Sequence, residues 1–331
     1  MYIIYINKIK MDKSISTNNS TINKIKKNEE NEEKSIWDNI IDFFRPQKNE
    51  KKKKTEIHNI RGGYIKCNCP KNKSKYYCDS IYELISMIKN NQDIDSERSI
   101  KLYQGLLRIC DRKLDANGEN ILQIKKDLHR TFPSSLIMKT PRIQSKLKNV
   151  LRAFSNYEPN LKYFQGMNFI VGFLLFHCDE HVAFWLFVSL FEEYDYRNIF
   201  TDNFSGLNYH VSKVKSILKK YTPKLYEDLI NCGVTFEIFM IEWLYSLFSS
   251  IIPLELQMGF YKGFFCEGWK FFYKMCISII TNAKGTFKGP EEIYIAFKFG
   301  TLDDKVSDEF TNQYWKKIIH NAYSIDIDDC L

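Results

Sequence analysis

The chain has 331 residues, 44% of them hydrophobic, 15% aromatic and 27% charged, with 48 Lys+Arg against 40 Asp+Glu. That balance excludes a wholly disordered or fibrous chain, and 14 Gly with 8 Pro are too few for the turn-rich spacing of a large all-β protein. The net charge of +8 is modest, and residues 1–56 carry half of it, with 13 Lys/Arg and 9 Asp/Glu.

The basic block at 51–54 lies in polar sequence and not on an aromatic-rich folded face. It therefore reads as a solvated linker, and no nucleic-acid partner is expected. Peripheral contact of this tail with an anionic membrane stays open. Residues 1–6 are apolar but shorter than a signal-peptide core, and no window reaches the ~18 uncharged apolar residues of a spanning helix. The best candidate, 239–254, contains Glu242 and ends at Pro253. Nine cysteines, an odd number and mostly in apolar helical stretches, do not make a disulfide framework. The expectation is a cytoplasmic protein of a reducing compartment, at most peripheral on endomembranes.

In chain order, 1–56 reads as a disordered polar and basic tail. Within it Ile36-Trp37, Ile40-Ile41 and Phe43-Phe44 recur at helical spacing, giving a short amphipathic segment at 36–44 that needs a partner surface to order. Residues 57–95 form a transition holding Cys67, Cys69 and Cys78, with His58 upstream. Those four side chains could ligate zinc, but the usual C-x2-C loops are absent, so free cysteines and no metal are expected.

From Ser96 the pattern is helical almost without break. Ile121-Leu122, Ile124 and Leu128 share a face before Pro133; Leu147, Val150-Leu151 and Phe154 form the next stripe before Pro159. Apolar blocks follow at 167–176, 182–191, 211–218, 225–230, 236–252 and 271–280. β-branched alternation is scarce. The body at 96–323 is expected to be all-α, with some ten or more helices, followed by a tail at 324–331.

Two polar sites interrupt this framework. Asp127 and Arg130 in Ile124-Lys125-Lys126-Asp127-Leu128-His129-Arg130 are three apart, so the acid can hold the guanidinium where the helix must stop. Taken alone, such an Arg is an ordinary favourable charge at a helix C-terminus. The second site is Tyr163-Phe164-Gln165-Gly166-Met167-Asn168, a loop at a helix entrance. Gly166 permits close approach, Gln165 offers an amide that can orient water, and Asn168 is the natural helix cap.

Together these motifs resemble the TBC domain, the Rab GTPase-activating family that works with an arginine finger and a glutamine finger. Ile-x-x-Asp-x-x-Arg at 124–130 is followed, 35 residues after its Arg, by Gln165 within Tyr-x-Gln-Gly-Met. The stripe at 147–154, Ala183-Phe184-Trp185, Pro223-x-Leu225, Gly233-Val234, the run at 243–249, Pro253-Leu254 and Glu267-Gly268 follow in the family's order. The resemblance covers about 98–323. Four positions depart from the pattern: Tyr261-Lys262 replaces the usual Trp-Asp, Tyr103 replaces an entry Trp, and Lys162 stands where a Gly often precedes the loop Tyr.

The resemblance implies a multi-helical TBC-type domain acting on a GTP-bound Rab-family GTPase in vesicle trafficking. Arg130 and Gln165 would be the catalytic pair, supported by Asp127, Tyr163 and Gly166. GTP and Mg²⁺ would be carried by the partner, with no cofactor on this chain. The alternative is a non-catalytic Rab-binding or scaffolding module on the same fold. Other constellations are missing: the six His show no H-E-x-x-H spacing, and no Gly-x-Ser-x-Gly elbow occurs. Phe264-Phe265 and Phe271-Phe272 read as helix core.

Overall fold

Apolar periodicity at 3.6 residues, punctuated by capping residues, produces twelve α-helices and three short 3-10 turns among the described residues, with no strand. The computed structural model describes residues 94, 96–112, 118–200, 204–283, 289–302 and 306–330, without the side chains of 110–112, 118 and 119. All belong to one compact unit. The expected tail at 1–56, the segment at 36–44, and His58, Cys67, Cys69 and Cys78 lie outside the described residues.

The helices are α1 (Glu97–Arg112), α2 (Gly118–Leu128), α3 (Pro141–Tyr157), α4 (Met167–His177), α5 (Glu180–Glu193) and α6 (Ser205–Tyr221). Then come α7 (Pro223–Asn231), α8 (Phe236–Ser246), α9 (Gln257–Glu267), α10 (Trp269–Asn282), α11 (Pro290–Phe299) and α12 (Asp308–Ser324). Their starts follow local chemistry. Ser96 Oγ accepts the Ser99 N–H (3.2 Å) ahead of α1. Thr140 Oγ1 accepts from Ile143 N–H (3.4 Å) ahead of Pro141 in α3, and Ser307 Oγ from Phe310 N–H (3.2 Å) ahead of α12.

α4 and α5 are apolar around most of their circumference, and that dictates a central position. Residues 170–175 and 182–191 are buried without a break, and α3 packs against both helices. Trp185 is almost fully buried and its indole N–H donates to the Ser99 carbonyl (3.1 Å), which docks α1 on α5. Tyr103 is also buried and donates to Glu180 Oε1 (2.7 Å). Tyr261 stacks on Phe173 at 4.2 Å and 5°, and its hydroxyl bonds the Ser249 hydroxyl (2.8 Å), so the buried phenol has its polar end satisfied.

Two sequence expectations change. The apolar block at 236–252 does not form one helix. α8 stops at Ser246 because Leu247 (φ 45°) and Phe248 (φ 59°) turn into left-handed conformation, and the Phe248 N–H bonds the Trp243 carbonyl (3.0 Å). Both side chains are fully buried, so tertiary packing holds a bend that no Gly or Pro announces. On α2, Leu122 is 59% exposed, while Asp127 joins Ile124 on the fully buried face. Within the C-terminal stretch 324–330, Ile327 is buried and Asp328 pairs with Lys270.

Candidate functional site

The buried acid on α2 is the seed of the site. Asp127 is wholly inaccessible, and a carboxylate placed there requires donors on both oxygens. Arg130, two residues past the end of α2, supplies one side: its Nε (2.8 Å) and Nη2 (2.5 Å) both reach Oδ1. Tyr163 supplies the other, donating its hydroxyl to Oδ2 at 2.7 Å. Burial first, and then the bond to Asp127, push the Tyr163 phenol far above its ordinary range, so it stays a donor. The guanidinium has five N–H groups, and the ion pair engages two of them. The Arg130 side chain remains 43% exposed, anchored at one edge with the other edge facing solvent.

The second segment is the loop 158–166 between α3 and α4. Its backbone is pinned where Tyr163 N–H donates to Asn120 Oδ1 (3.1 Å) on α2. It is braced at its start by Arg197, whose Nη2 bonds Glu158 Oε2 (2.5 Å) and Glu192 Oε1 (3.2 Å). Phe164 packs against Phe200 (4.9 Å) and Tyr245 (5.6 Å). Gly166 has φ 120°, and a Cβ there would lie 2.4 Å from the Tyr245 carbonyl oxygen, so only glycine lets the loop seat on the end of α8. Between the anchors Tyr163 and Gly166, Gln165 is exposed, and its carboxamide bonds to no other group among the described residues. Lys162 is also exposed.

Asn168 and Thr131 join the two segments, and sequence reasoning missed that role for both. Asn168 is fully buried in the first turn of α4 and does not act as its cap; Gly166 stands at the N-cap position. The Asn168 Oδ1 accepts the Gly166 N–H (3.1 Å), which turns its Nδ2 toward Thr131 Oγ1 (2.8 Å). Thr131 in turn donates to the Asp127 carbonyl (2.8 Å). The chain just beyond Arg130 also lies against α4: a Cβ on Gly172 would meet Thr131 Cγ2 at 2.8 Å. Thus Asp127, Arg130, Thr131, Tyr163, Gly166 and Asn168 form one connected cluster, with the exposed Arg130 and Gln165 on its outer side. No local pattern signals the Asn168–Thr131 bond, because the partners are 37 residues apart.

The arrangement presents a permanent cation and a neutral amide on rigid mounts. Neither requires a shifted pKa to act, and both suit an anionic oxygen and a water. Two histidines are also strongly shifted: burial pushes His177 and His210 down to about 4, which leaves both neutral.

The Rab-GTPase-TBC domain model matches residues 80–287. With that match over more than half of its length, the chain belongs to the RabGAP-TBC family of Rab GTPase-activating proteins. It is 28% identical over 207 residues to GTPase-activating protein GYP5 of Saccharomyces cerevisiae, covering 62% of this chain and 22% of the relative. It is 29% identical over 207 residues to Growth hormone-regulated TBC protein 1-A of Danio rerio, covering 60% of this chain and 55% of the relative. The chain therefore spans well under two thirds of either relative. Among solved structures, the YPT/Rab-GAP domain of Gyp1p superposes with TM-score 0.57 at 16% identity, covering 73% of this chain and 86% of that one. The Chlamydomonas flagellar RabGAP TBC domain gives TM-score 0.55 at 18% identity, covering 67% and 71%. At these identities the structural likeness establishes the all-α TBC fold. No helix among the described residues is long and apolar enough to cross a membrane.

Proposed function

We propose that this chain accelerates GTP hydrolysis on a GTP-bound Rab-family GTPase through two side chains, Arg130 and Gln165. The observation that carries this reading is the cluster around Asp127, which ties the Arg130 turn and the Gln165 loop to one mount while leaving both functional ends exposed. Hydrolysis builds negative charge on the γ-phosphoryl and bridging oxygens and needs a water in line. The GTPase brings Mg²⁺ and its own phosphate cradle, so a partner contributes by adding charge and a water-orienting group. The free edge of Arg130 suits the first role and the Gln165 carboxamide the second. Asp127 and Tyr163 fix the orientation of the guanidinium, and Gly166 sets the height of the glutamine loop. In this reading GTP and Mg²⁺ arrive with the partner and this chain supplies no cofactor.

An arginine acting this way is worth about 10³–10⁵ in rate, or about 4–7 kcal/mol of barrier. Single-turnover GTP hydrolysis across a panel of Rab GTPases tests it. At least one member should be accelerated, and Arg130→Ala or Gln165→Ala should each remove most of the gain. Acceleration that survives both substitutions would refute the two-residue mechanism, and tight binding with no acceleration would make the chain a recruiting module.

A further inference from the structure

The turn between α2 and α3 holds out two large apolar side chains that the fold does not use. Leu136 is 81% exposed and Ile137 51%. They do not sit on a frayed segment. Phe132, just before them, is buried and meets Phe169 edge-on at 5.3 Å. Met138, just after, is 2% exposed and sits beneath α4, where a Cβ on Gly172 would come within 3.2 Å of its Cε. The Ser135 N–H bonds the Phe132 carbonyl (3.0 Å), Lys139 N–H that of Ser135 (3.3 Å), and Thr140 N–H that of Ile137 (3.1 Å). A pinned turn thus presents the pair, so covering it requires little further ordering of the chain.

The exposed charges along this stretch of chain are of one sign. Lys125, Lys126, Arg130, Lys139 and Arg142 are all exposed, and the single acid between 125 and 142, Asp127, is buried against Arg130. Exposed apolar anchors accompanied by charge of one sign are the materials of a protein-docking surface.

We propose that Leu136 and Ile137 anchor the docking of the GTPase itself, entering an apolar patch with an acidic rim on the partner that receives Arg130. This rests on the function proposed above. Leu136 lies six residues after Arg130, within about 20 Å even if the chain were extended, and an interface of about 800 Å² per partner spans more than that. The cations flanking the pair in the chain select the acidic surround and speed encounter.

The test uses the full chain with Leu136→Ser and Ile137→Ser combined, assayed on a GTPase that the panel identifies. Both side chains are exposed, so the melting temperature should stay put. KM for the GTP-loaded GTPase should rise roughly tenfold while kcat at saturation is retained. Lys139→Glu with Arg142→Glu should also raise KM and flatten its dependence on salt. If KM is unchanged in both variants while Arg130→Ala still abolishes the rate, the docking proposal is overturned and the functional reading stands. If wild type accelerates no GTPase, that reading fails, and binding to the same GTPases loaded with a non-hydrolysable GTP analogue decides docking. Loss of binding in the apolar double variant supports the proposal; equal binding, or none by wild type, overturns it. Binding to phosphatidylserine vesicles that depends on Leu136 and Ile137, with KM unmoved, would assign the pair to a membrane and also overturn it.

Discussion

The polar cluster around Asp127 and the aromatic core under α8 to α10 hold their residues by opposite means. In the core, Phe248 meets Phe260 at 5.2 Å and Phe272 at 4.8 Å, and Phe260 meets Phe264 at 5.7 Å, with Phe248, Phe260, Phe264 and Phe272 all fully buried. The burial that drives such contacts is non-directional and contributes bulk stability, and ring geometry adds only a smaller preference. In the cluster every link has a donor, an acceptor and a direction: Arg130 and Tyr163 on Asp127, Asn168 on Thr131, Gly166 on Asn168. Area burial sets whether the chain folds; the directed bonds orient the Arg130 guanidinium and hold the loop that carries Gln165. Stability and geometry are therefore separable in this molecule.

Three substitutions sharpen that separation, taken from the largest effect downward. Phe260→Ala opens a cavity among packed rings and should cost about 3–5 kcal/mol, read from the denaturant midpoint. Protein that remains folded should keep nearly the wild-type GTPase-activating rate. Asn168→Ala leaves the Thr131 hydroxyl and the Gly166 N–H without their buried partner, and should cost about 1–3 kcal/mol. Its rate should fall further than its stability accounts for, because both loops lose their common tie. Thr131→Ser keeps the hydroxyl and should stay close to wild type in both measurements. If Asn168→Ala loses stability and retains full kcat, the cluster is only structural and the comparison breaks.

Much of the helical framework is legible in the sequence because apolar periodicity and local caps determine it. The block at 182–191 falls within α5, and Pro133 and Pro159 lie beyond the helices they were expected to end. The end of α8 is not legible: Leu247 and Phe248 are poor choices for positive φ, and only their complete burial explains the bend. Asp127 and Arg130 could be paired from spacing, since three residues on a helix place them side by side. Tyr163 reaches Asp127 across 36 residues and Asn168 reaches Thr131 across 37, and no periodicity records such contacts. Asn168 looks like a helix cap in one dimension and is a cross-link in three.

The central claim is that Arg130 and Gln165 meet a single nucleotide in its transition state. Affinity for a Rab GTPase loaded with GDP and aluminium fluoride, compared with GDP alone, measures this directly. Wild type should bind the fluoride complex at least about 10²-fold more tightly, as a transition-state analogue requires, and Arg130→Ala or Gln165→Ala should each erase most of that preference. Equal affinity for the two nucleotide states, or a preference that persists when both side chains are removed, would contradict the account.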